Sequence, residues 1–136
     1  MRRSAPIHGS IALASLAAGP IFLISTGLAA VYLELPRPVT VDPALFAPFI
    51  LFFIPAIIFG FILSIIPNLI GSRLLVFIGG AIPAARASPV WIGTGALFGT
   101  AIAAETGAFA QPALAVGLIL SSACSAAICR LSAFWD

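Results

Sequence analysis

The stretch from Ala44 to Ser88 reads ALFAPFILFFIPAIIFGFILSIIPNLIGSRLLVFIGGAIPAARAS, and it decides how often the chain can cross a membrane. From Ala44 to Pro67 it carries no charge and is dense in Phe and Ile. A helix of about 20 apolar residues spans the ~30 Å hydrocarbon core of a bilayer, so this part predicts one crossing. The second half of the stretch is different. Arg73 and Arg86 enclose only 12 uncharged residues, too short a run for a second crossing. Crossing there would bury an arginine, at about 2.5–3.5 kcal/mol for a position at the centre of the bilayer. The segment from Asn68 to Ser88 is therefore expected to lie along the membrane surface. A short helix over Leu69–Ile78 is predicted, broken by Gly79, Gly80 and Pro83, with both arginines snorkelling to headgroups on one side.

Reading outward, Ile11 to Leu33 is free of charge and forms a first span. Glu34, Arg37 and Asp42 then alternate with Pro36, Pro38 and Pro43, which remove donors and stop a helix. In the other direction, Pro89 to Ala108 forms a third span that contains Glu105. Gln111 and Pro112 make a tight connection, Pro112 suiting a first helical turn. Ala113 to Cys129 forms the fourth span, closed by Arg130. The expected architecture is one all-α transmembrane domain over residues 1–136. It is a four-helix bundle with spans near 11–33, 44–67, 89–108 and 113–129 and a short interfacial helix or loop between the second and third.

Composition agrees with a membrane reading. Of 136 residues, 62% are hydrophobic and 7% charged, and the mean hydropathy is +1.22. Soluble domains carry roughly 25% charged residues, and disordered chains combine low hydrophobicity with high charge. Four spans leave no room for a soluble domain. A net charge of +2 gives no reason to expect a nucleic-acid partner. All six basic residues are arginines, so Schiff-base and phosphate-loop lysine chemistry are both excluded.

Orientation follows from the arginines. With a cytoplasmic N-terminus, Arg2, Arg3, Arg73, Arg86 and Arg130 fall inside and Arg37 alone falls outside. That is the bias of the positive-inside rule, and it puts both termini in the cytoplasm. Tyr32, Trp91 and Trp135 lie near span ends, where amphipathic rings prefer the interface. Small size, orientation charge and an arginine-only basic set point to a bacterial inner membrane. Arg2 and Arg3 before an apolar run, with Gly27 and Ala29 further on, could mimic a secretory signal. The run exceeds the ~7–15 residues of a signal core, so an uncleaved span is expected.

Helices in lipid associate through close backbone approach and a few hydrogen bonds. Gly95, Gly99, Ala103 and Gly107 recur at four-residue steps in the third span. Ala113, Gly117, Ser121, Ser125 and Cys129 do so in the fourth, and these two faces are expected to pack on each other. Ala56, Gly60, Ser64 and Asn68 give the second span a small face turned inward. Its phenylalanines (Phe46, Phe49, Phe52, Phe53, Phe59 and Phe61) either face lipid or form a slot for a quinone or pigment. Pro20 and Pro55 should kink their helices.

Chemistry is sparse. Glu105 is the one acidic residue within a span, which makes it a candidate ion or proton site. It lies about 24 Å beyond Pro89, near the outer surface, where it could equally reach headgroups or pair with Arg37. His8 is the single histidine and has no companion ligands. Cys124 and Cys129 lie on different sides of one helix and cannot readily join. No nucleophile has a base at recognisable spacing, so neither catalysis nor a cofactor is expected. Two function classes remain. One is a structural or accessory subunit that packs with itself or with a larger membrane partner. The other is a small oligomeric carrier or channel that uses Glu105.

Overall fold

The computed structural model describes residues 7–35 and 43–131. Its α-helices are α1 (Ile7–Glu34), α2 (Phe46–Ala81), α3 (Ser88–Glu105) and α4 (Pro112–Leu131). Single 3₁₀ turns cover Pro43–Leu45, Pro83–Arg86 and Ala108–Ala110. Three helices, α1, α2 and α4, are long and apolar enough to cross a membrane. The remaining helix, α3, has only 18 residues, and Gly93, Gly95, Gly99, Thr94 and Thr100 dilute its apolar character.

The main departure from the sequence reading lies in α2. No separate surface helix begins after Pro67. One helix of 36 residues runs through Pro55, Pro67 and Arg73 to Ala81, about 54 Å at 1.5 Å per residue. Each proline removes a single donor, and packing on α1 holds the helix together across the gap. The Ser64 hydroxyl shares its one proton between Gly60 O within α2 at 2.5 Å and Ser15 O of α1 at 3.3 Å, and the Asn68 amide donates to Ser15 Oγ of α1 at 3.1 Å. Arg73 is exposed. Its charge leaves the backbone ladder of α2 unbroken. The helix stops only after Gly79 and Gly80, where Ile82 turns extended (φ −123°, ψ 101°) ahead of Pro83. At that length α2 is nearly twice as long as a bilayer's hydrocarbon core is thick.

Successive helices run antiparallel, and in space they are ordered α2–α1–α4–α3. Helix α1 packs along both α2 and α4, and α3 packs along α4. Along their lengths α2 and α3 share no face, so the four helices expected as a bundle are arranged as an open row. Lipid tails are as apolar as leucine, so nothing drives the outer helices to cover their remaining surfaces. The row is tied at one end by a cluster of Ile11, Ala14, Leu75, Trp91 and Cys129, to which all four helices contribute. Trp91 is 1% exposed and donates from Nε1 to Ala85 O at 3.1 Å. It is a core residue at a helix end, where the sequence suggested an interfacial ring. At the other end a smaller cluster joins Ala103, Ala108 and Ala115.

Candidate functional site

The polar and small residues inside the row serve its three helix–helix contacts. At the α3–α4 contact, a Cβ built on Gly95 would lie 2.5 Å from Ser122 O and 2.8 Å from Ala126 Cβ. One on Gly99 would lie 2.7 Å from Leu118 O and 2.8 Å from Ile119 Cα. Neither position has space for a side chain. Ala103 completes this face and is fully buried. Gly107 takes no part in it. It is exposed, has φ 69° and meets nothing within 4 Å, and it ends α3 in the left-handed conformation that glycine adopts without strain.

The four-residue series on α4 faces differently from the sequence expectation. Gly117 presses on Phe22 and Thr26 of α1, not on α3. The α3 glycines meet the neighbouring strip of α4 instead, through Leu118, Ile119, Ser122, Ala123 and Ala126. As an inner helix, α4 needs two small faces about 100° apart, and a one-residue shift in register moves from one to the other. Ser121, Ser125 and Cys129 are buried. The Ser121 hydroxyl donates to Leu118 O at 3.2 Å, and Cys129 belongs to the end cluster with Leu75 of α2. Thr26 Oγ1 and Ser125 Oγ are buried without a hydrogen-bond partner among the described residues.

At the α1–α2 contact two glycines touch. A Cβ on Gly60 would lie 2.5 Å from Gly19 Cα, and one on Gly19 would run into Ala56 O. Ser15, wholly buried, accepts from Asn68 at Oγ and from the Ser64 hydroxyl at its carbonyl, the latter at 3.3 Å. Gly19 and Ser15 are the contact residues that sequence reasoning missed. The partner series on α2 is visible in the sequence, but Gly19 stands beside Pro20, whose kink is the more conspicuous signal. Of the phenylalanines on α2, Phe52 and Phe59 are exposed and Phe53 and Phe61 half-buried. The side chains of Phe46 and Phe49 lie outside the described residues.

Charge is sorted between the two ends. Arg86 donates from Nε to Gly79 O at 2.8 Å, placing a cation on the C-terminal carbonyls of α2, where the helix dipole favours it. Arg130 donates from Nε to Arg86 O at 2.5 Å. Arg73 lies at this same end, two residues before Leu75 of the end cluster. Glu34 and Glu105 close α1 and α3 at the opposite end, both exposed. Among the described residues nothing hydrogen bonds to Glu105. Its expected pairing with Arg37, together with Arg2, Arg3 and Trp135 and the side chain of His8, lies outside the described residues. No three His, Cys, Asp or Glu side chains group together among the described residues.

One concavity lies between α1 and α4. It is a groove of about 590 Å³ lined by Ile21, Ile24, Ser25, Leu28, Ala29, Tyr32 and Leu33 from α1 and by Val116, Leu120 and Cys124 from α4. Its wall is almost entirely apolar. Ser25 turns its hydroxyl back onto Ile21 O at 2.6 Å.

Together these features define a class: an all-helical protein with three helices able to cross a membrane, seamed by glycine contacts. No protein-family model, curated protein or solved structure matches the chain.

Proposed function

We propose that the chain is an integral protein of a bacterial inner membrane, with α3 as a fourth span and both termini cytoplasmic. In it the chain acts as a structural or accessory subunit that packs with itself or with a larger membrane protein. The observation that carries this reading is how the buried polar side chains are used. Ser15 and Asn68 are spent on the α1–α2 contact, Ser64 is shared between that contact and its own helix, and Trp91 is spent on a turn carbonyl. Glu105, the one candidate for ion coupling, sits exposed at the end of α3 and is not among the groove residues. The separation of Arg73, Arg86 and Arg130 from Glu34 and Glu105 supports the orientation, since arginine-rich ends stay inside.

The test is mild detergent extraction of the full chain, with the mass and composition of whatever travels with it then measured. A stoichiometric membrane partner, or a defined oligomer of the chain, supports the subunit reading. A proton or cation flux in liposomes that vanishes in Glu105→Gln would replace it with a carrier or channel.

A further inference from the structure

We propose that the α1–α4 groove holds one acyl chain of an amine-headed, zwitterionic phospholipid from the leaflet at the Glu34 end. This rests on the membrane reading above and goes beyond it by assigning a ligand. From Ile21 to Leu33 the groove follows α1 for about 18 Å, close to the ~15 Å depth of one hydrocarbon leaflet. Its volume of about 590 Å³ lies in the range of sites that hold small ligands, ~300–1,000 Å³. A polar solute would find little to bond there, because the wall is almost wholly apolar and Ser25 donates its hydroxyl proton to its own helix. An acyl chain needs only the aliphatic wall.

The headgroup end is also specified. Tyr32, 74% exposed, lines the groove where α1 reaches the interface, and Glu34 lies two residues further on. Among the described residues that end of the row carries Glu34 and Glu105 and no arginine. Its net negative charge favours a headgroup that presents an ammonium and disfavours one that presents only phosphate. Rows of carboxylates near an interface attract amines by plain Coulomb attraction, weakened but not abolished by salt within a Debye length of about 8–10 Å.

Cys124 provides a probe inside the groove, since it lines the wall and is exposed while Cys129 is buried. The full chain in mild detergent would be titrated with phosphatidylethanolamine or phosphatidylglycerol and followed by native mass spectrometry and by the rate of Cys124 alkylation. The expected result is one phosphatidylethanolamine bound per chain, at least fivefold in preference to phosphatidylglycerol, with Cys124 alkylation slowed threefold or more. Filling the groove with Ala29→Phe or Leu120→Trp should cut that adduct tenfold, whereas Leu97→Trp, on the outer face of α3, should leave it unchanged. Helix content by circular dichroism and a single elution peak would show that each variant has folded. Equal adducts for both lipids, or an adduct indifferent to groove filling in folded variants, would overturn the proposal and leave the membrane reading standing. A chain recovered in the aqueous fraction without detergent would overturn both.

Discussion

Replacing Gly99 with alanine adds one methyl group, and the packing around it fixes what that methyl meets. It would sit 2.7 Å from Leu118 O and 2.8 Å from Ile119 Cα, both backbone atoms of α4 that cannot rotate away. Non-bonded carbon atoms settle near 3.5–4.0 Å, so α3 and α4 must part locally by roughly 0.7 Å or more. Overpacking of this kind costs about 1–3 kcal/mol. Gly93 is the matched control, lying on the same helix with nothing within 4 Å of an added methyl. There the change should be neutral or stabilise by up to ~1 kcal/mol, because alanine loses less backbone freedom in a helix than glycine does. At about 4 °C per kcal/mol for a chain of this size, Gly99→Ala should melt roughly 4–12 °C below wild type. Thermal unfolding in one detergent, monitored by circular dichroism for wild type and both variants, reads the difference directly. If Gly99→Ala melts at or above Gly93→Ala, the glycine seam does not hold α3 to α4.

Other outcomes rest on the same geometry. Asn68→Leu should destabilise by about 0.5–2 kcal/mol, the range for interhelical hydrogen bonds in membranes, measured by unfolding in mixed micelles. Trp91→Ala should be among the costliest substitutions in the same assay, about 3–5 kcal/mol, because it empties the junction of all four helices. Glu105→Gln should leave thermal stability within roughly 0.5 kcal/mol of wild type, since it removes no described contact. In intact cells a cysteine placed at Thr40 should react with a membrane-impermeant thiol reagent while one at Ser88 should not, and the reverse pattern would invert the orientation.

Several of these outcomes rest on features that are legible in the chain itself. Charge-free runs at Ile11–Leu33 and Ala113–Cys129 lie within α1 and α4, because helices in an apolar solvent must satisfy their own backbone and need only length and hydropathy. Gly95 and Gly99 are visible as a close-approach face for a similar reason, since glycines every four residues expose backbone along one side of a helix. Arg73 misleads because a charge does not end a helix; it only limits the depth to which that helix can be immersed. Gly107 fits the spacing of its stripe but lies past the end of α3, and spacing alone cannot reveal where a helix stops.

By itself the sequence determined the helical class and the apolar character of the chain, with runs long and apolar enough to cross a membrane, but not where α2 ends. Those are local properties, set by side-chain transfer energies and backbone chemistry residue by residue. Only the tertiary structure decided which small face meets which. Gly117 turns to Phe22 and Thr26, Gly60 finds Gly19, and α4 offers a second strip to α3. Helix α4 carries two small faces, and lipid supplies no hydrophobic force to choose between them. The choice is made by contacts between residues far apart in the chain, such as Ser15 with Asn68 and Arg130 with Arg86, which no stretch of either helix contains alone.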